Sequence, residues 1–179
     1  MLFRSNGGGD ASINFGTWAF PRPFVFGSGT QCNNFLQLAI ACRRNAEEAI
    51  EALRGGFLGS FFGSLGRVDL AMAAKSLAAM PDNDRALDEL LGKLPGSPLK
   101  PAELAVEPRD KNFGVVQVGE DRQFTLKLTN KGDRLLHGKA SVGDCSWIVL
   151  GDAGTPDKLF QTFDEVSIPV RIPGKRLHA

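Results

Sequence analysis

The sequence predicts an α+β chain in which a small helical bundle precedes a β-sandwich. Three observations carry this reading. Apolar residues recur at the helical period over residues 30–95, they switch to strand alternation after residue 103, and a proline-punctuated run separates the two. The expected organisation is a flexible leader and aromatic extended segment over residues 1–29, a bundle over 30–95, a Pro-rich linker over 96–102 and a sandwich over 103–179.

Residues 1–12 are rich in Gly and Ser, as a flexible leader would be. The aromatic stretches over residues 13–20 and 24–26 are extended, because Pro21 and Pro23 push the residues before them out of helical conformation. Trp18 is expected to pack in a core. After the Gly27-Ser28-Gly29 break, a first helix shows Phe35, Leu38, Ala39 and Cys42 on one face. Asn45 starts a second, with Glu48 three positions on as in a capping box and Gly55-Gly56 as its stop. Its stripe is Ala46, Ala49, Ile50 and Leu53. A third carries Leu58, Phe61, Phe62 and Leu65, and a fourth carries Leu70, Ala73, Ala74 and Leu77. A fifth, capped by Asp82 or Asn83, carries Leu87, Leu90, Leu91 and Leu94 and ends at Pro95-Gly96.

In the second half Leu104 and Val106 alternate before Pro108, and Phe113 to Val116 with Val118 read as a short extended run. Phe124, Leu126 and Leu128 alternate with Thr125, Lys127 and Thr129, the mark of a strand with one dry face. Asn130-Lys131-Gly132-Asp133 has turn chemistry. Leu135, Leu136 and Val142 flank Gly138, and the apolar run 147–150 precedes a Gly- and Pro-rich loop. Phe160, Phe163, Val166, Ile168, Val170 and Ile172 complete the series, and strands at this spacing predict a sandwich.

The frame L-x-V-x-P, F-G-x-V-x-x-G, F-x-L-x-L-x-N-x-G, L-x-G, a Trp and I-P-V, spanning residues 103–172, resembles the immunoglobulin-like repeat of the Hydin-type (ASH) and major-sperm-protein-like group. That resemblance implies an immunoglobulin-like β-sandwich used for binding and scaffolding. Such repeats continue past I-P-V with a further hairpin, which would begin at residues 175–179. The sandwich is therefore expected to lack its last hairpin, and to be completed by a longer chain or by another strand. Residues 24–95 resemble an uncharacterised helical segment of bacterial multidomain signalling proteins. The resemblance rests on Phe24, Phe26, Ser28, Gly29, Asn45, Ala49, Gly66, Arg67, Asp69, Leu70 and Ala71, with Phe61-Phe62 where a Trp-Leu pair is expected.

Charge and composition exclude several classes. A net charge of +1 without a basic stripe argues against nucleic acid as a partner. Cys32, Cys42 and Cys145 form no C-x-x-C pair and read as buried, reduced thiols; only Cys32 and Cys42 would join in an oxidising compartment. The N-terminus has no apolar signal region, and no run approaches the roughly 18 apolar residues of a membrane span. A cytoplasmic location is expected.

No chemical site emerges from spacing. Gly7-Gly8-Gly9 lacks the Gly-Lys-Ser/Thr of a phosphate loop. Asp82-Asn83-Asp84 opens like a calcium loop but has Leu87 and Lys93 at the positions that need Gly and Glu. His137, read at a turn, and His178 have no carboxylate or Cys partner at ligand spacing, and Cys145 has no cation beside it. No catalytic residue, cofactor or metal is expected.

Two candidate partner-binding sets remain. The strand carrying Val166, Ile168, Val170 and Ile172 would be an exposed edge able to recruit a partner strand or a second copy, unless residues 13–20 fold back over it. Arg67 and Asp69 would pair with one another or bind a partner. The expected role is a non-enzymatic protein–protein interaction or scaffolding module of a bacterial multidomain signalling protein. The alternatives are a small-ligand or carbohydrate-binding sandwich, favoured by an exposed Trp18 or Trp147, and a membrane-active effector using the Gly/Phe-rich helix at 55–66.

Overall fold

A computed structural model describes residues 15–177. The leader at residues 1–12, the first two residues of the aromatic segment 13–20, and His178 lie outside the described residues. The chain is α+β, with five α-helices and antiparallel sheets among the described residues, and divides into two compact units. One contains residues 15–81 and 89–98, the other 82–88 and 99–177.

The first unit opens with a short hairpin. β1 (Phe24–Val25) pairs with β2 (Gln31–Cys32), Phe24 opposite Cys32 and Val25 opposite Gln31. Gly29 turns the chain at φ 87°, a conformation costly for any residue with a Cβ. α1 (Phe35–Arg44) buries the four residues that its period picks out: Phe35, Leu38, Ala39 and Cys42. Asn34 caps it by accepting from Gln37 N at 2.8 Å. α2 (Ala46–Arg54) begins with the expected capping pair, Asn45 Oδ1 accepting from Glu48 N at 3.3 Å while Asn45 Nδ2 donates to Glu48 Oε2 at 3.0 Å. α3 (Phe57–Ser64) buries Leu58 and Phe62, and α4 (Val68–Leu77) buries Leu70, Ala74 and Leu77. These two helices pack against each other beside Gly59, where a Cβ would lie in ordinary contact, 3.7 Å from the Ala74 Cβ. α5 (Asn83–Lys93), whose residues 83–88 are counted with the second unit, starts where Asp82 Oδ1 accepts from Arg85 N, and Leu87, Leu90, Leu91 and Leu94 are buried.

Phenylalanines join the hairpin to the helices. Phe20 stacks edge-on against Phe35 and Phe61 at 4.9 and 5.1 Å, and Phe24 against Phe26 and Phe61 at 4.9 and 5.1 Å. Trp18 departs from expectation. It is 60% exposed and its ring packs on that of Phe15, beside the short 3-10 turn Phe15–Thr17, which buries Gly16.

Cys32 and Cys42 are free and buried. Desolvation pushes the Cys42 thiol from an ordinary 9.0 up to about 12, with the neighbouring Cys32 adding to the rise, and burial raises Cys32 as well. A raised thiol value means that the fold favours the protonated form. Stability that is fully present below pH 9.0 should therefore fall as pH climbs towards 12, by up to roughly 1.4 kcal/mol per pH unit. Urea midpoints measured across that window should fall steeply for the natural chain and more gently for Cys42→Ala; parallel slopes would show that the thiol is not responsible.

The second unit contains β3 (Leu104–Glu107), β4 (Arg122–Asn130), β5 (Leu136–Ser141), β6 (Val149–Leu150), β7 (Asp157–Thr162) and β8 (Glu165–Ile172). One antiparallel sheet has the order β3-β4-β8-β6, and β5 pairs with β7 in another. The dry face of β4 is the one its alternation predicts. Phe124, Leu126 and Leu128 face a core with Ile168, Val170 and Leu150, against which Ala140 of β5 and Phe160 of β7 also pack. Gly138 sits opposite Phe160, whose ring covers the space that a Cβ would occupy, 3.0 Å from the ring tip. His137 is therefore part of β5 rather than a turn.

Two further expectations are corrected. Residues 113–118 form no strand: Gly114 adopts φ 64° and Gly119 φ 89°, Val115 is 89% exposed, and Phe113 packs on Phe124 at 5.4 Å. The strand over residues 166–172 is not an outer edge either. β4 pairs with β8 from Glu165 to Ile172, and β6 covers Val170 and Arg171 on the opposite side. Pro169 is tolerated because its missing N–H falls on that second side, where its carbonyl accepts from Gly151 N at 2.7 Å.

Within the second unit, Arg134 clamps Asp88 with Nε–Oδ1 at 2.6 Å and Nη2–Oδ2 at 2.9 Å, and Leu135 N donates to the same carboxylate at 2.9 Å. Both side chains are mostly shielded from water. Arg134→Ala leaves that carboxylate without its charged partner and should cost about 1.5–3 kcal/mol in chemical denaturation, where an exposed pair would cost under about 1.

Candidate functional site

The most distinctive surface lies in the first unit, where the hairpin meets the ends of α2 and α3. Alternation along β1 and the residue after it turns Phe24 and Phe26 inward and leaves Val25 half exposed between them. At the far side α2 ends at Gly55, and Gly56, at φ 76°, redirects the chain into α3. The first residue of α3, Phe57, consequently lies off that helix's buried stripe and is 66% exposed. Gly55 makes room for its ring: a Cβ there would come within 2.7 Å of it.

Between these walls is a groove of about 570 Å³ floored by Phe24, Phe26 and Phe61. Among the described residues its ionisable lining is Glu48 and Glu51, with no cation. The two carboxylates differ in function. Glu48 is saturated, accepting from Ser28 N at 2.5 Å, Ser28 Oγ at 2.8 Å and Asn45 Nδ2 at 3.0 Å, so it fastens the hairpin turn to α2. Glu51 is exposed, and its carboxylate makes no hydrogen bond or ion pair among the described residues. The groove therefore offers an aromatic floor, an apolar rim and one free negative charge.

Of the residues singled out from sequence, Arg67 and Asp69 do come together. Arg67 Nε and Nη2 donate to Asp69 Oδ1 and Oδ2 at 2.8 and 2.6 Å, and the guanidinium lies 5.6 Å from the centre of the Phe35 ring. These bonds hold the Asp69 carboxyl down to about 2. The pair satisfies itself, and a partner would have to displace it. Val166, Ile168, Val170 and Ile172 belong to the other unit, and the last three are buried in its core. Trp147 is 39% exposed and, with Asp110, Asn112 and Phe113, lines a cleft of about 740 Å³. The apolar side of α3 is occupied, since Leu58 and Phe62 are buried, and among the described residues no helix is long and apolar enough to cross a membrane. Among the described residues no three His, Cys, Asp or Glu side chains converge on a point where a metal could bind.

Sequence reasoning missed Phe57, Val25 and Glu51. The available signal was an aromatic residue off the apolar stripe of a short helix: Phe57 precedes Leu58, Phe61 and Phe62 on a helix whose glycines leave it little else to show. Comparison with protein-family models, curated proteins and solved structures finds no match to this chain.

Proposed function

We propose that this chain is a non-enzymatic protein-binding module whose first unit captures a partner segment in the Phe24–Phe57 groove. The observation that carries the reading is the exposed Phe57 beside the unpaired Glu51 over an aromatic floor. Exposed aromatics around a preformed hollow are what binding hot spots are built from. Charge complementarity identifies the occupant as a segment with an aliphatic or aromatic side chain next to a Lys or Arg, the first filling the groove and the second meeting Glu51. The second unit is read as an immunoglobulin-like sandwich serving as scaffold. Its two sheets with a shared core support this, as does the L-x-V-x-P to I-P-V frame.

Selection of a displayed random-heptapeptide library on the folded chain tests the reading. Enriched peptides should carry an apolar residue next to a basic one, and Phe57→Ser should weaken the best of them about tenfold, the loss of one hot-spot side chain. Peptides that bind Phe57→Ser equally well would place the interaction elsewhere.

A second reading is a small-ligand or carbohydrate site in the cleft of Trp147, favoured by the partial exposure of that ring beside Asp110 and Asn112. Quenching or enhancement of Trp147 fluorescence by a soluble glycan panel, lost in Trp147→Phe, would support it; a panel without effect would remove it.

A further inference from the structure

The second unit holds a concentration of positive charge that the linear sequence disguises. Antiparallel register places Arg122, the first residue of β4, opposite Ile172 at the end of β8, and Arg171 is the neighbour of that residue. Past β8 the chain folds into the 3-10 turn Gly174–Arg176, which carries Lys175 and Arg176. The turn is fixed in place. Gly174 N donates to Asp121 Oδ1 at 2.7 Å, Gly119 N donates to the Gly174 carbonyl at 3.1 Å, and no side chain fits at Gly174 because a Cβ would meet the backbone of Gly119 and Glu120 at 2.3 Å. All four cations line one cleft of about 690 Å³.

The charges do not cancel. Among the described residues the only carboxylate in the lining is Asp121, engaged by Gly174 N, while Glu120 pairs with Arg122 Nη2 at 2.8 Å from outside it. Four cations against these two carboxylates leave an excess of about two positive charges around the cleft. Nor are the donors used up. Arg122 Nε and Arg171 Nε are buried without a hydrogen-bond partner, a costly condition for a charged group. Arg171 spends Nη2 on the carbonyls of Gly151 and Asp152, at 3.1 and 2.8 Å, which orients its guanidinium while leaving Nη1 unused. Lys175 Nζ makes no hydrogen bond or ion pair among the described residues.

We infer that this cleft binds a small phosphorylated compound, its phosphoryl oxygens accepting from Arg122, Arg171, Lys175 and Arg176. Arginine forks anchored by the backbone suit the planar, multidentate recognition of phosphate oxygens. An excess of two charges matches a dianion rather than a single carboxylate. The volume admits a body larger than the phosphate itself, and the absence of a longer basic stripe sets a compact ligand apart from a nucleic-acid strand. This site is independent of the groove in the first unit and stands or falls separately.

The test uses the full chain and inorganic pyrophosphate as probe, followed by calorimetry and by backbone amide shifts at constant ionic strength, with sulfate as the comparison anion. Pyrophosphate should bind at least tenfold more tightly than sulfate and shift the amides of Arg171, Gly174, Lys175 and Arg176. Arg171 supports a loop, so Arg171→Gln could disturb folding; Lys175→Ala, which breaks no contact, keeps the test sharp and should weaken binding about fivefold to tenfold. Arg85→Gln, on α5, should leave it unchanged. Equal affinity for sulfate and pyrophosphate, or Lys175→Ala binding as tightly as the natural chain, would overturn the inference. So would a single-stranded oligothymidylate that outcompetes pyrophosphate, because the cleft would then belong to a nucleic-acid interface.

Discussion

Phe62→Ala is expected to destabilise the first unit by about 3–5 kcal/mol, the range for removing a large aromatic from a packed core. Phe62 is fully buried and stands between Phe35 and Phe61, with ring centres 6.2 and 6.1 Å away. Phe61 and Phe35 in turn hold Phe20, and Phe61 holds Phe24, so the cavity would open beneath the floor of the groove. Urea unfolding followed by helix circular dichroism measures the loss, with Met72→Ala as control. Met72 is 70% exposed, and its truncation should stay within about 0.5 kcal/mol. A Phe62→Ala loss under about 1 kcal/mol would mean that α3 does not pack on α1 in this way.

Asn130→Ala is expected to cost about 2–4 kcal/mol, through polar groups left unpaired rather than through lost volume. The Asn130 side chain is buried and joins four backbone groups from separate stretches. Its Oδ1 accepts from Glu103 N at 3.1 Å and Gly132 N at 3.0 Å, while its Nδ2 donates to the Arg134 carbonyl at 2.7 Å and the Phe163 carbonyl at 3.0 Å. It therefore ties the approach to β3, the turn after β4 and the connection between β7 and β8. Asn130→Asp separates donor from acceptor function. The carboxylate keeps both N–H partners but turns an oxygen towards two carbonyl oxygens. The variant should be strongly destabilised at neutral pH and recover in part in acid, where its proton supplies one donor again. Equal loss at both pH values would show that packing, not hydrogen bonding, sets the cost.

The helical half was legible almost residue by residue, for a physical reason. Short amphipathic helices bury one stripe, and Phe35, Leu38, Ala39 and Cys42, or Leu87, Leu90, Leu91 and Leu94, announce that stripe directly. The sheets were legible where alternation is strict, as in β4, and illegible where backbone conformation overrides side-chain pattern, as at Gly114 and Gly119. Strand order was beyond reach, since pairing partners lie far apart in the chain. That is why residues 166–172 read as an edge although β4 pairs along them and β6 covers Val170 and Arg171 on the other side. The turn chemistry of residues 130–133 was visible, but the four-way bonding of Asn130 was not, because three of its partners lie outside that turn. Both proposed binding surfaces depend on the same kind of distant meeting. Phe57 and Glu51 face a hairpin some thirty residues earlier, and Arg122 meets a basic C-terminal segment some fifty residues later. The run Arg171-Ile172-Pro173-Gly174-Lys175-Arg176 is a local signal for the second that a net charge of +1 over the whole chain conceals.

The groove reading makes one demand that packing alone would not. Its specificity must follow the sign of the charge at position 51. Heptapeptide selection should therefore be repeated on Glu51→Lys, an exposed substitution that breaks no hydrogen bond among the described residues. The apolar residue of the enriched peptides should persist while the adjoining basic residue gives way to Asp or Glu. Recovery of the same basic peptides from both proteins would contradict it, and the partner surface would then have to lie outside the Phe24–Phe57 groove.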